Sequence, residues 1–203
     1  MRDVVLPPDE LAALVVATSF AAGLNVYITV ATLGLLARAG IVTLPASLQL
    51  LTSGWIIGAA AALFVVEFVA DKIPAFDLIW NALQTVVRVP VGALLAFGAT
   101  AQLSPGKQLL AAALGGVIAL AAHGGKTAVR VAATASPEPL SNIALSLGED
   151  ALAGFITWLA TRHPLWATAI VIGLLTVVVV VIRAVGRALA SLFRGNVGLV
   201  ARD

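Results

Sequence analysis

The sequence contains no cysteine, which excludes a disulfide framework, thiolate metal sites and cysteine nucleophiles. Charge is almost as scarce. Asp, Glu, Lys and Arg make up 11% of the 203 residues, where a soluble domain carries about 25%. The two histidines, His123 and His163, are too few and too far apart for a histidine metal cluster, so neither a metal nor another cofactor is expected. A formal charge of +2, with Lys and Arg unclustered, leaves no footprint for nucleic acid. No GxSxG, HExxH or phosphate-cradling loop occurs. No catalytic residue is therefore assigned, and the chain is not expected to be an enzyme.

Apolar residues are what the sequence has in excess, at 61%. A chain of this length cannot bury all of that surface in one globule, so a lipid bilayer must cover the remainder. A spanning helix needs about 20 mostly apolar residues. Suitable runs lie at Leu11–Ala37, Ala39–Val66, Leu78–Gly106, Gln108 to about Ala133, Ile143–Thr161 and Leu165–Ile182. Turn signals separate them, among them Ala39-Gly40, Ser104-Pro105-Gly106 and His163-Pro164. The expected fold class is all-α: one polytopic membrane helix bundle of about six transmembrane helices. Six crossings put both termini on one side. Arg183, Arg187, Arg194 and Arg202, with Lys72 and Arg130, make that side cytoplasmic, against Arg38, Lys107 and Arg162 opposite. The tail from Arg183 alternates Arg with apolar residues and is expected to lie along the membrane surface.

The two halves resemble each other. Gly23, Ile28, Val30 and Ala31 match Gly124, Val129, Val131 and Ala132 at one constant spacing. Pro45, Ser47, Leu51, Thr52 and Gly54 match Pro139, Ser141, Leu145, Ser146 and Gly148, and Lys72-x-Pro74 matches Arg162-x-Pro164. This predicts a 3+3 inverted repeat in residues 10–101 and 106–190, followed by a cytoplasmic tail at 191–203. An odd number of spans per repeat inverts the second against the first, an arrangement found in secondary transporters with a site at the midplane.

Ionisable groups inside a span usually face the bundle interior. Asn25, Tyr27 and Thr29 follow Gly23, and His123, Lys126 and Arg130 share one helical face around Gly124 and Gly125. Asn142, Ser146, Glu149, Asp150 and Thr157 form a stripe, with Lys126 and Arg130 as the expected partners of the two acids. Asp77, Asn81, Gln84, Thr85, Arg88 and Gly92 form another. Asn25, Tyr27, Thr29, Arg88, His123, Lys126, Arg130, Glu149 and Asp150 are the candidate pathway residues. Helix breaks are expected at Gly23, Gly124, Gly125 and Pro90. Glu67, Asp71 and Lys72, near an interface, are expected to form ion pairs or end a helix.

Three runs together resemble a known family: Phe20-Ala-Ala-Gly-Leu-Asn-Val-Tyr27; Glu67-Phe-Val-Ala-Asp-Lys-Ile-Pro74 with Asp77 and Trp80; and Ser136-Pro-Glu-Pro-Leu-Ser-Asn142 with Glu149-Asp150. The family is the bacterial membrane family called domain of unknown function 4126. Asn81 stands where its pattern leads one to expect Asp. The resemblance implies a multi-pass protein of the bacterial inner (plasma) membrane and carries no activity with it.

The expected function is a transporter or channel for a small ion or polar solute, with a site where the repeats meet. Arg88, Lys126 and Arg130 tilt that expectation toward an anion. A structural or accessory membrane protein is the alternative, with small-residue faces such as Gly54-x-x-x-Gly58 serving a partner or a homo-oligomer. A lipid-handling protein is the third, marked by a lateral groove beside Arg88.

Overall fold

The structure is a computed structural model that describes the backbone of residues 6–71, 74–133 and 139–200. Side chains are described within those ranges except at 74–79, 131–133, 139–142, 188–189 and 192–200. Lys72 lies outside the described residues, as do the side chains of Asp77 and Asn142. The fold is all-α: α1 (Pro8–Leu24), α2 (Val26–Arg38), a 3-10 helix (Ala46–Thr52), α3 (Gly54–Ala70), α4 (Pro74–Ala99), α5 (Pro105–Ala133), α6 (Pro139–Arg162) and α7 (Pro164–Val200).

The run expected as one first span is two helices. α1 opens on Pro8 with Asp9 and Glu10 in its first turn, where acidic groups complement the helix dipole. It stops at Asn25, which is extended (φ −148°, ψ 105°) and accepts hydrogen bonds from the Tyr27 and Ile28 amides at 3.0 Å. Asn25 is thus the N-cap of α2. The expected break at Gly23 falls two residues later, at this cap. Gly23 instead lets α1 press on α5, since a Cβ there would lie 2.3 Å from the Ala119 carbonyl oxygen.

The chain doubles back at Asn25, as α6 shows. Asn25 meets Asp150, Ile28 meets Gly154 and Thr29 meets Thr157, so α2 runs parallel to α6. Along α1 the order is reversed. Leu24 lines a groove with Glu149 and Leu152, while Leu14 and Thr18 line a cavity with Ala160 and Arg162. α1 and α2 are therefore a re-entrant hairpin with its tip inside the bundle. A helix of 17 residues rises about 25 Å, enough to carry the tip deep into a hydrocarbon core of about 30 Å.

α2 ends in a Schellman motif: Ile41 N–H donates to the Leu36 carbonyl and Gly40 N–H to the Ala37 carbonyl, with Gly40 at φ +69°. This turn returns the chain to the face where α1 began. There the 3-10 helix anchors to α4 through the Ser47 hydroxyl, which donates to the Gly98 carbonyl at 2.7 Å. The second expected span is thus a 3-10 helix and α3, bent by 63°.

Among the described residues, α4, α5, α6 and α7 are each long and apolar enough to cross a membrane, and the bent pair makes up to five spans rather than six. The re-entrant hairpin accounts for the difference, because it adds no crossing. It also separates the ends of the chain. Leu6 and Pro8 sit beside Lys107 at the start of α5, whereas α7 climbs from Thr168 at Ala13, past Val178 at Gly125, to the opposite end. The described start of α1 and the described end of α7 thus lie at opposite ends of the bundle. The 3+3 repeat is not evident in this architecture, since α1 ends where its expected counterpart α5 runs on unbroken.

α5 continues through Gly124 and Gly125, and α4 through Pro90, so the breaks expected there do not occur. Gly124 has open space around it, while Gly125 makes room for Val178 of α7. α7 is one helix of 37 residues; no break at Arg183 turns its end onto a surface.

Small residues hold the centre. A Cβ at Gly92 would lie 2.6 Å from that of Ala119, so α4 and α5 approach closely with α1 wedged against both. Phe20, Ala21, Ala122, Ala153, Ile156 and Val171 join α1, α5, α6 and α7 in the main core. The outer faces are aliphatic: Val86, Leu109, Val117, Ile172 and Val180 are exposed, as are Trp55 and Trp166 near the starts of α3 and α7. Lipid is the environment such faces require, with tryptophan at the interface. The chain is a multi-pass membrane protein.

Candidate functional site

The hairpin tip ends against a buried cluster of charges contributed by α3, α4, α5 and α6. The two broken helix ends explain why charges gather there. The carbonyl end of α1 carries partial negative charge, and cations meet it: Arg88 Nη1 donates to the Gly23 carbonyl at 3.3 Å, and Lys126 Nζ to the Leu24 carbonyl at 3.5 Å. The amide end of α2 carries partial positive charge and faces Asp150 through Asn25, whose Nδ2 donates to Asp150 Oδ1 at 2.8 Å. Asn25 is fully buried and serves both sides at once, its oxygen capping α2 and its nitrogen holding the acid.

Arg88, 0% exposed, donates to Glu67 Oε1 and, at 2.9 Å, to His123 Nδ1. A guanidinium only donates and a carbonyl only accepts. His123 Nδ1 must then be an acceptor, and Nε2–H donates to the Asn81 carbonyl at 3.1 Å. The partners fix His123 as the neutral Nε2–H tautomer. Lys126 Nζ lies 3.1 Å from Glu149, 3.6 Å from Glu67 and 3.8 Å from Asp71. Arg130 binds Asp71 at 2.7 Å and Glu149 at 2.9 Å. The Ser146 hydroxyl donates to Asp71 at 2.9 Å.

The expected partners of the acids are thus half realised: Lys126 and Arg130 take Glu149, while Asp150 goes to Asn25. Glu67 and Asp71 form ion pairs with Arg88 and Arg130, and Asp71 is the C-cap residue of α3. They are buried, and Glu67 Oε2 and Asp71 Oδ1 have no hydrogen-bond partner among the described residues. Tyr27 joins through its hydroxyl, which accepts from Gln84 Nε2 at 3.0 Å. Thr29 faces Thr157 at 3.5 Å. The Gly23–Thr29 and His123–Arg130 segments meet where Lys126 Nζ donates to the Leu24 carbonyl, with Gly23 packed against Ala119 and Ala122 one turn earlier on α5.

Arg88, Lys126 and Arg130 each face a carboxylate. The roles of Gln84, Ser146 and Asn81 were hidden in their stripes: spacing marks a polar face but not its partner. Among the described residues, no three of His, Asp and Glu are set to hold a metal ion.

A family model described as Domain of unknown function (DUF4126) matches residues 12–184. No curated protein and no solved structure matches the chain. The matched stretch runs from the first turns of α1 through most of α7, and the chain belongs to that family.

Proposed function

We propose that this protein is a small transporter or channel for a monovalent cation, the proton foremost, and not an enzyme. One observation carries the reading. Among the described residues the cluster sets the carboxylates Glu67, Asp71, Glu149 and Asp150 against Arg88, Lys126 and Arg130, with His123 neutral. Among the described residues Asp150 makes no ion pair; it is hydrogen-bonded by the neutral amide of Asn25, with the Lys126 charge nearby. An uncompensated charge in an apolar bundle costs several kcal/mol, and a bound proton or cation removes that cost. A helix pair broken at mid-membrane, with its ends aimed at a charged site, is how secondary transporters assemble ion sites.

The same reading places the protein in a bacterial inner membrane. Arg183 and Arg187 on α7 put that helix's far end in the cytoplasm, and the hairpin then enters from the other side. The test is flux into vesicles holding purified protein, with a proton-sensitive dye in one arm and imposed sodium or potassium gradients in the others. Asp150→Asn keeps the Asn25 hydrogen bond and is expected to abolish flux. Wild type without flux in every arm, or Asp150→Asn equal to wild type, sinks the reading.

A lipid-handling role has one observation in its favour. A groove of about 530 Å³ between α1, α5, α6 and α7 is walled by Leu145, Leu152, Leu174 and Val177, with Lys126 and Glu149 at its inner side. It lies beside Lys126 rather than beside Arg88. Lipid scrambling in the same vesicles, lost in Glu149→Gln, is the outcome that favours it.

A further inference from the structure

A cation needs a route to Asp150, which is 7% exposed. At the end of the bundle where α1 begins there is a cavity of about 360 Å³. Glu10, Thr18, Thr43, Thr161 and Arg162 line it, among aliphatic neighbours such as Leu33 and Leu95. From Thr161 a file of hydroxyls leads inward along the seam between α6 and α2. Thr157 lies one turn from Thr161 on α6. Its Oγ1 is 3.5 Å from Oγ1 of Thr29, and both residues are 0% exposed. Thr29 lies one turn from Asn25, and Asn25 reaches Asp150.

The direction of the hydroxyl hydrogens matters. Thr157 donates to the Ala153 carbonyl at 2.7 Å, and Thr29 to the Asn25 carbonyl at 2.9 Å. Thr157 also reaches across the seam as a donor to Thr29 Oγ1 at 3.5 Å, and the Thr29 oxygen, its own hydrogen committed to α2, offers its lone pairs there. Lone pairs suit a cation or the oxygen-bound protons of water, and they repel an anion.

We propose that this cavity is the entrance, and the Thr29–Thr157 pair the gate, of the route by which a monovalent cation reaches Asp150. The proposal rests on the transport reading and extends it to the side of access and the point of closure. The absence of cysteine makes the test direct. Single variants Thr161→Cys and Thr157→Cys, in vesicles, are exposed to a membrane-impermeant quaternary-ammonium thiol reagent on each face in turn. Thr161→Cys is expected to react from the face bearing Glu10, and Thr157→Cys at least about tenfold more slowly, as befits a closed gate. Thr157→Val is expected to lower cation flux about tenfold, the worth of one lost hydrogen-bonding group, while Thr157→Ser retains it.

Thr161→Cys inert from that face, Thr157→Cys as reactive as Thr161→Cys, or Thr157→Val with undiminished flux overturns the proposal. Failed labelling beside flux that still depends on Asp150 overturns the route alone. Labelling as expected with no flux in wild type overturns the transport reading and, with it, the gate.

Discussion

Replacing Asn25 by Asp puts a second carboxylate where a neutral amide now binds Asp150 at 2.8 Å. Aspartate caps a helix as well as asparagine, so α2 keeps its N-cap and only the tip contact changes. Two unit charges about 4 Å apart at an effective dielectric of 20 repel by about 4 kcal/mol. That shifts the folding equilibrium by about a thousandfold, a large fraction of the stability of an ordinary domain. The reciprocal exchange, Asn25→Asp with Asp150→Asn, restores the pair with its polarity reversed. The new amide at 150 donates to the free oxygen at 25 while the other oxygen still caps α2. Thermal unfolding of the purified protein in detergent, followed by tryptophan fluorescence, compares the three variants with wild type. Asn25→Asp is expected to melt well below wild type, Asp150→Asn close to it, and the double exchange to recover most of the loss. A double exchange no more stable than Asn25→Asp alone refutes the tip contact, and the re-entrant hairpin with it.

Glu67→Leu strips Arg88 of its carboxylate and leaves it a backbone carbonyl and a neutral histidine. It is expected to cost about 3–5 kcal/mol, and Glu67→Leu with Arg88→Leu to cost less than the single change, both by denaturant unfolding. Gly23→Val drives side-chain atoms into the backbone of α5 at Ala119, and overpacking there is expected to cost about 1–3 kcal/mol or more in the same assay. Gly124→Ala, on a helix with open space around it, is expected to be neutral or to stabilise by up to about 1 kcal/mol through helix propensity. Nitrogen-15 NMR of His123 is expected to show a neutral ring protonated at Nε2; a spectrum protonated at Nδ1 contradicts the Arg88–His123–Asn81 chain.

Hydropathy made the membrane, the helical class and the positions of the later spans legible, because Ile143–Arg162 and Pro105–Arg130 are long runs that only lipid satisfies. It could not show direction. Leu11–Ala37 has the length and composition of a span, and nothing in its apolar content says that it reverses at residue 25. The local signal was there in another form: Asn25 is a strong N-cap residue set inside an apolar run, with Gly23 just before it. Reading Gly23 as the break placed the tip two residues early. Reading Gly124 as its equivalent then produced a repeat whose second copy has no N-cap residue and no break. Glu67 and Asp71 form ion pairs of the kind expected, but deeper in the bundle than their place at a helix end suggests. They are near the end of their own helix, but α4 starts well above Arg88, so the end of α3 is still inside the bundle.

The hairpin also explains why the scarce charges converge. In an unbroken helix, backbone dipoles cancel except at the ends, and the ends lie in water. Doubling back at Asn25 brings one carbonyl end and one amide end to the same place, deep in the bundle. The carbonyl end needs cations, which Arg88 and Lys126 supply, and those cations in turn need Glu67 and Glu149. The amide end favours an anion, and Asp150 is placed at it. Among the described residues Asp150 is held by a helix end and an amide and makes no ion pair. Partial charge of that kind holds a carboxylate in place without neutralising it. On the proposed transport reading, Asp150 is the acid in the cluster that could take up and release a cation without breaking an ion pair among the described residues.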